Sequence, residues 1–412
     1  MKVLPGNILL IFIIWRTFLF LLAWLGQLLL PFAPSFPYSD VLLIPSGLSQ
    51  WIWPFANFDG VHYLTIAKFG YSAQFTQVFF PLYPLLLKFL MFIFPFLNPI
   101  IIGLFISNLF FLLLLFILWK LLKLDYKSKQ INWILLFFIF FPTSFFFGSL
   151  YTESLFFLLV ISSFYASRAK KWWIAAILGT LASATRFVGI FLLPALLWEW
   201  NTEFKIKNLK LKIITATPGS RYSGTKQDTK LLKFIKSIFH FPFSILHSPI
   251  LYLVPLGLLS YIVYLQVVFG DPLYFWHAQP IFGAQRSGEA IILLPQVIWR
   301  YFKILATVPN YQYDFWVAVW ELSSIIISYL LLIIATVLKV RPSYLIFSFL
   351  VVTIPTLTGT LSSMPRYILQ AFSIYIVLGM IKSTAIKISL LFFSILLLAL
   401  FTILFTSGRW VS

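Results

Sequence analysis

The chain has 412 residues, of which 61% are hydrophobic and only 10% charged, with a mean hydropathy of +0.97. A water-soluble domain carries roughly 25% charged residues, so this composition excludes an ordinary soluble globular protein. The formal net charge of +19 does not point to nucleic acid, because the lysines fall in short clusters between apolar runs, where the positive-inside rule puts cytoplasmic loops.

The absence of cysteine removes disulfides, thiolate chemistry and cysteine metal sites. A spanning helix needs about 20 apolar residues, and within lipid the backbone satisfies itself only as helix or closed barrel. The recurring apolar runs therefore describe an all-α, polytopic helical membrane protein: a single domain over residues 1–412 with about ten or eleven spans. The run from Ile8 to Leu30 is longer than the apolar core of a signal peptide and reads as the first span. It carries Arg16, which must face a protein interior or snorkel.

Residues 31–81 read as a large structured external loop, interrupted by Pro31, Pro34, Pro37, Pro45 and Pro54, with Asp40 and Asp59 its only acids. Within it, Asn57 to Tyr71 has the spacing of a short interfacial helix ended by Gly70. Residues 82–97 are expected as a short or re-entrant segment and 99–119 as a span. Lys120, Lys123, Lys127 and Lys129 mark a cytoplasmic loop. The run 131–147 rises to Pro142-Thr143-Ser144, and Tyr151-Thr152-Glu153-Ser154 opens a descent to Arg168, Lys170 and Lys171. A straight helix over 172–198 would bury Arg186 in lipid, so a broken helix pair with Arg186 at the outer turn is expected. Residues 199–247 hold nine Lys/Arg against three acids and read as a basic cytoplasmic loop, flexible around Thr217–Thr225 and able to touch anionic lipid heads. Further spans are expected at 249–269, 315–338, 343–360, 366–381 and 388–405, with 290–308 lying in the interface.

The chain has only 11 acids, and a carboxylate at mid-bilayer costs roughly 2.5–3.5 kcal/mol. This topology gathers Asp59, Glu153 and Asp271 on the outer face together with His62, Tyr63, Arg186, His277, Arg286 and Arg366. Ionisable groups converging from distant loops are the default functional site. Asp59 is the first candidate for a general base acting on a sugar hydroxyl, with Gly60 beside it leaving room for a substrate and His62 and Tyr63 one turn on. The alternative is that Asp59 caps the interfacial helix. Arg366 follows Pro365 at a helix start, where a cation opposes the dipole unless an anion such as phosphate binds there; the alternative is a snorkelling arginine. Arg186 and Glu153 form either a structural pair or a ligand contact. His277 and Arg286 are phosphate ligands or ordinary loop residues. The four histidines form no recognisable metal spacing. Asp59 with Asp271 or Glu153 could hold a divalent cation, but no spacing requires one. No P-loop, GxGxxG or nucleophile elbow is present, against ATP-driven transport and hydrolase chemistry.

Taken together, Phe58-Asp59-Gly60-Val61-His62-Tyr63 through Tyr71, Phe79-Phe80-Pro81-Leu82-Tyr83-Pro84, Pro142-Thr143-Ser144, Tyr151 to Phe156, Thr185 to Gly189, Gly270-Asp271-Pro272, Pro365-Arg366-Tyr367 and Gly408-Arg409-Trp410-Val411 resemble, in order, the motif blocks of the GPI mannosyltransferase II (PIG-V) family and its prokaryotic relatives. The family signature often has an acidic pair or Trp-Asp where Asn57 and Phe58 precede a lone Asp59 here, and the basic insert at 205–236 is unusual. The resemblance implies a GT-C fold in the cell membrane, a polyprenyl-phosphate-linked sugar donor with mannose as the expected sugar, and inverting transfer on the extracytoplasmic face. It places the catalytic acid of the first loop on Asp59. The expected substrate-binding residues are His62, Tyr63, Glu153 and Asp271, and Arg186 and Arg366 are expected to take the donor phosphate. No cofactor is assigned with certainty and a divalent cation stays open, and the expected acceptor is a glycan, glycolipid or protein. The rival readings are a flippase of lipid-linked saccharides, which predicts mid-membrane charges and an inverted repeat, and a non-catalytic assembly subunit.

Overall fold

A computed structural model describes residues 5–215, 248–283 and 286–411. The protein is an all-α polytopic helical membrane protein. Among the described residues no strand forms, and one parallel bridge joins Ile292 to Thr358. The helices are α1 (Pro5–Leu29), α2 (Asp59–Phe69), α3 (Leu82–Ile93), α4 (Pro99–Leu122), α5 (Ser128–Ile139), α6 (Glu153–Arg168), α7 (Trp172–Thr185), α8 (Leu192–Thr215), α9 (Leu256–Phe269), α10 (Leu294–Thr307), α11 (Tyr313–Val337), α12 (Pro342–Thr353), α13 (Ser373–Met380) and α14 (Thr384–Thr406). Five stretches among the described residues are long and apolar enough to cross a bilayer: Asn7–Leu29, Pro99–Leu122, Ile250–Phe269, Tyr313–Val337 and Thr384–Thr406. Their outward faces carry exposed Leu28, Phe105, Val267, Ile333 and Phe392, as lipid-facing surfaces should.

Several expected spans are broken into shorter helices. Asn98 caps α4 through its side chain, and Pro99 sits at the first helical position, where its missing N–H costs nothing. The 172–198 segment breaks at Arg186, whose extended backbone (φ −154°) separates α7 from a tight turn over Phe187–Phe191. The 366–381 segment is also not one helix: a helical turn at Met364–Tyr367 precedes α13. The basic segment expected as a loop from 199 begins as helix, because α8 continues to Thr215. Thr217–Thr225, expected to be flexible, lies outside the described residues.

The main core runs through most of the helix assembly, and Leu258, Tyr261 and Leu265 of α9 form a second, smaller cluster with Phe80 and Phe275. Helix α6 packs between α4 and α7, α1 lies along α14, α5 against α13, and α9 against α7. Arg16 faces this interior, with its guanidinium 4.0 Å from the Phe20 ring and 4.4 Å from that of Phe55, so α1 meets its expected cost inside protein rather than in lipid. The loop over 31–81, expected to be external, is not a free strand of chain: Phe55, Ala56, Asn57 and Phe58 are all buried. Asn57 donates from Nδ2 to the Phe405 carbonyl at 2.9 Å, and Leu150 N–H donates to the Phe55 carbonyl at 2.9 Å.

Glu153 and Arg168 start and end the 16-residue α6, about 22 Å apart at 1.5 Å rise per residue. Around Arg168, a second polar cluster joins the ends of α4, α6 and α12 to Glu199 within α8. Arg168 makes a bidentate pair with Asp125 (2.6 and 2.9 Å), and its Nη1 also donates to Tyr344 at 2.9 Å. Arg341 pairs with Glu199, which also accepts from Ser343.

Helix α9 approaches α7 across a glycine. A Cβ on Gly257 would stand 2.0 Å from the Thr180 carbonyl oxygen and 2.5 Å from Ser183 Oγ, so the two backbones would have to separate. Gly257→Ala is expected to cost about 1–3 kcal/mol through overpacking, seen as a lower thermal midpoint in detergent; a parental midpoint would remove the close approach.

Candidate active site

The site is built on the first loop. Phe58 adopts φ 55°, ψ −115°, a conformation L-residues avoid at a cost of about 1–3 kcal/mol. It is held there by packing on Phe36, Phe405 and Trp410. The Tyr151 hydroxyl donates to the Asn57 carbonyl at 2.9 Å and accepts from the Asp59 N–H at 3.3 Å. This over-determined corner sets the direction in which Asp59 leaves the chain. Asp59 opens α2 but makes no side-chain cap, so the capping role is not the one it plays. Its Oδ2 instead accepts from Arg366 Nη1 at 2.6 Å. Gly60 is a packing glycine rather than an entrance for substrate: a Cβ there would lie 3.3 Å from Ala56 Cβ and 3.4 Å from the Leu150 carbonyl.

Arg366 reaches Asp59 from the Met364–Tyr367 turn, which Thr143 anchors by donating to the Pro365 carbonyl at 2.7 Å. Its Nε stands 3.5 Å from Glu153 Oε1. Glu153 is fully buried at the start of α6 and also receives Arg186 Nη1 at 2.5 Å. The break before Phe187 thus delivers Arg186 to the carboxylate. Two acids and two arginines form one chain, Asp59–Arg366–Glu153–Arg186. Burial alone would lower the Arg366 pKa, but Asp59 and Glu153 outweigh it and raise it. Arg186 also lies over the Tyr367 ring at 5.3 Å, as does Arg366 at 5.4 Å. Burial would raise the Tyr367 phenol, yet Arg366, Arg286 and Arg186 together bring its pKa below the ordinary value. Two guanidinium groups therefore lie over one ring, and the third, Arg286, lines the same cavity.

Asp59, His62, Tyr63, Arg186, Arg286 and Arg366 all line one cavity of about 1010 Å³. His62 stacks on Phe79 (centroids 4.9 Å apart) and meets Phe282 edge-on; its Nδ1 has no partner among the described residues. Tyr63 is buried with its hydroxyl 3.4 Å from Thr152 Oγ1, and burial pushes its pKa up. Glu153 stands behind the lining rather than in it. Asp271 is not brought into the site: its Oδ1 accepts from the Leu273 N–H at 2.9 Å and its Oδ2 meets His277 Nδ1 at 2.8 Å, closing a local turn after Gly270. The carboxylates considered for a divalent cation thus each meet a protein nitrogen, and no group of three or more potential ligands occurs among the described residues. Arg286, which the sequence left between phosphate ligand and loop residue, reaches the cavity with Nη2 3.4 Å from Ser362 Oγ and 3.5 Å from Ser363 Oγ. Glu321, from α11, is a cavity carboxylate that no sequence motif marked.

The fold and this charged cavity define a polytopic membrane protein with its ionisable groups gathered around one large ligand space, and it is a membrane glycosyltransferase. The family model described as Mannosyltransferase (PIG-V) matches residues 6–215, just over half of the chain, and the chain belongs to the PIG-V mannosyltransferase family. The matched part holds Asp59, Glu153 and Arg186, whereas Arg286 and Arg366 lie beyond it. No curated protein and no solved structure matches the chain.

Two outcomes follow from this geometry. Glu153→Ala would strip a buried partner from both arginines, and is expected to destabilise the protein by about 3–5 kcal/mol, measured as a loss of thermal midpoint far larger than that of an exposed acid such as Asp40. Burial, against an opposing effect of Asp59, lowers the His62 pKa below its ordinary 6.5. The unfolded chain takes up this proton before the folded one does, so the contribution to stability is complete above pH 6.5 and is lost as pH falls below it. His62→Gln should flatten the thermal midpoint against pH in that acid range, and an unchanged slope would count against it.

Proposed function

We propose that the protein transfers a sugar, mannose in the family's chemistry, from a polyprenyl-phosphate donor to an acceptor hydroxyl, with inversion, on the extracytoplasmic face. The observation that carries this reading is the Asp59–Arg366 ion pair in the wall of a cavity that also receives Arg186 and Arg286. Arg366 holds Oδ2 of Asp59, and Oδ1 makes no hydrogen bond within the described residues. That oxygen takes the proton from the acceptor hydroxyl. The acceptor oxygen attacks the anomeric carbon, the bond from that carbon to the donor phosphate oxygen breaks, and polyprenyl phosphate leaves with the electron pair. A single displacement inverts the anomeric centre. The arginines of the cavity wall, Arg186 and Arg366 over Tyr367 foremost, stabilise the departing phosphate, with charges fixed in place before reaction. Within the chain Asp59–Arg366–Glu153–Arg186 the formal charges cancel, and Arg286 adds a third guanidinium to the cavity wall.

The test uses full-length protein in lipid nanodiscs with polyprenyl-phospho-mannose and a panel of saccharide acceptors, following polyprenyl-phosphate release and product anomeric configuration. Transfer with inversion is expected. Asp59→Asn should lower kcat by about 10²- to 10⁴-fold while donor binding persists. Turnover of Asp59→Asn at the parental rate, or a retained anomeric configuration, would sink the mechanism. Lipid-linked saccharide crossing vesicles without any transfer would favour the flippase reading instead.

A further inference from the structure

Glu321 is the one buried acid among the described residues that forms no ion pair. The other two buried acids, Glu153 and Glu199, each hold an arginine. Glu321 is 4% exposed and sits on α11, one of the apolar spans. An acid there is expensive and calls for a reason. It stands on the helical face that meets the cavity: Asp314, Val317 and Glu321, spaced at i, i+3 and i+7, all line it.

One of its oxygens is fixed and the other is free. Tyr301 O–H donates to Oε2 at 2.5 Å. That spends the phenol's proton, so the Tyr301 oxygen accepts from the Leu361 N–H at 3.1 Å and from Thr360 O–H at 3.3 Å. The carboxylate is thus held by a tyrosine that is itself held from behind. Oε1 is buried and makes no hydrogen bond among the described residues. Arg286, the Ser363 backbone and the Trp410 side chain are the further groups that face the carboxylate.

We propose that Glu321 binds saccharide: Oε1 accepts a hydrogen bond from a sugar hydroxyl in the cavity, and Tyr301 positions it to do so. The inference rests on the glycosyl-transfer reading above. A carboxylate repels phosphate, so the donor's charged group belongs on the Arg186 side, and the neutral donors a sugar presents are hydroxyls. A ligand lacking that hydroxyl would leave a buried acceptor unpaired, which turns Glu321 into a specificity determinant. The hydroxyl comes either from the transferred sugar or from the acceptor, and kinetics separate the two.

The experiment is Glu321→Gln in the full-length protein in nanodiscs, measuring KM for donor and acceptor separately, kcat and thermal midpoint. The substituted amide keeps an oxygen for Tyr301 but turns an N–H₂ to the sugar. The expected result is a rise in KM for one substrate on the order of tenfold, larger than any effect on kcat, with a thermal midpoint equal to or above the parent's because a buried charge has gone. The substrate whose KM moves is the source of the hydroxyl. Should Glu321→Gln not fold, Tyr301→Phe, which releases the carboxylate but keeps it, is expected to raise the same KM. Parental KM values for both substrates overturn the inference alone. A parent that transfers no sugar from any polyprenyl-phospho-sugar overturns the functional reading; the thermal shift given by methyl α-mannoside then decides Glu321, its loss in Glu321→Gln supporting the proposal and its retention refuting it.

Discussion

The structure depends on a chain of four charges, two buried and two half-buried, that no single segment could support. Asp59 comes from the first loop, Glu153 from the start of α6, Arg186 from the break after α7, and Arg366 from a helical turn 307 positions beyond Asp59. Side-chain exposures of 19%, 1%, 14% and 8% leave little water to solvate them. In such surroundings an unpaired charge costs several kcal/mol, so each member is tolerable only while the others are in place. The pairing therefore acts as a register mark. It fixes how the N-terminal helices and the C-terminal helices close on each other, and it places the cavity at that seam.

The loop that supplies Asp59 is built to resist movement. The helical turn at Trp53–Ala56 is buried throughout, and the positive-φ backbone at Phe58 is clamped by three aromatic rings and by the Tyr151 hydroxyl on both sides. Strain of this kind survives only where packing over-determines it. Its consequence is that the carboxylate does not swing: Arg366 meets an oxygen already in position. Electrostatic stabilisation by fixed groups needs no reorganisation as charge develops, and a rigid loop is the local means to it. Gly60 serves the same end by letting α2 sit close on Leu150.

How much of this was legible in the sequence depended on the kind of signal. Long apolar runs marked α1, α4 and α14 because lipid solvation writes itself into every residue. The break at Arg186 was legible for the converse reason, since a lone cation within an apolar run is intolerable in a straight span. The convergence of Asp59 and Arg366 followed from topology, but their direct contact did not, because pairing across 307 positions leaves no periodicity. Asp271 illustrates the opposite failure: an acid on the expected face beside a Gly-Pro turn carried the look of a site residue and proved to serve the turn. Gly60 suggested room and gave packing. Glu321 was missed because it lies in an apolar run between Trp320 and Leu322, where neither loop chemistry nor a motif flags it. Only the cavity distinguishes it from an acid facing a neighbouring helix.

The two polar clusters at the ends of α6 show what separates a structural charge network from a functional one. Around Arg168, the carboxylates of Asp125 and Glu199 meet Arg168 and Arg341, and the hydroxyls of Ser343 and Tyr344 fill the remaining positions. That cluster is closed, and its work is to tie helix ends together. Around Asp59 the same residue types are left partly open: Asp59 Oδ1, His62 Nδ1 and Glu321 Oε1 make no hydrogen bond among the described residues, and Arg286 touches only serine hydroxyls at long range. A protein that buries polar groups satisfies them unless something else is meant to. Unpartnered polar atoms and guanidinium groups in the wall of one cavity are complementary to a ligand that carries both hydroxyls and an anion.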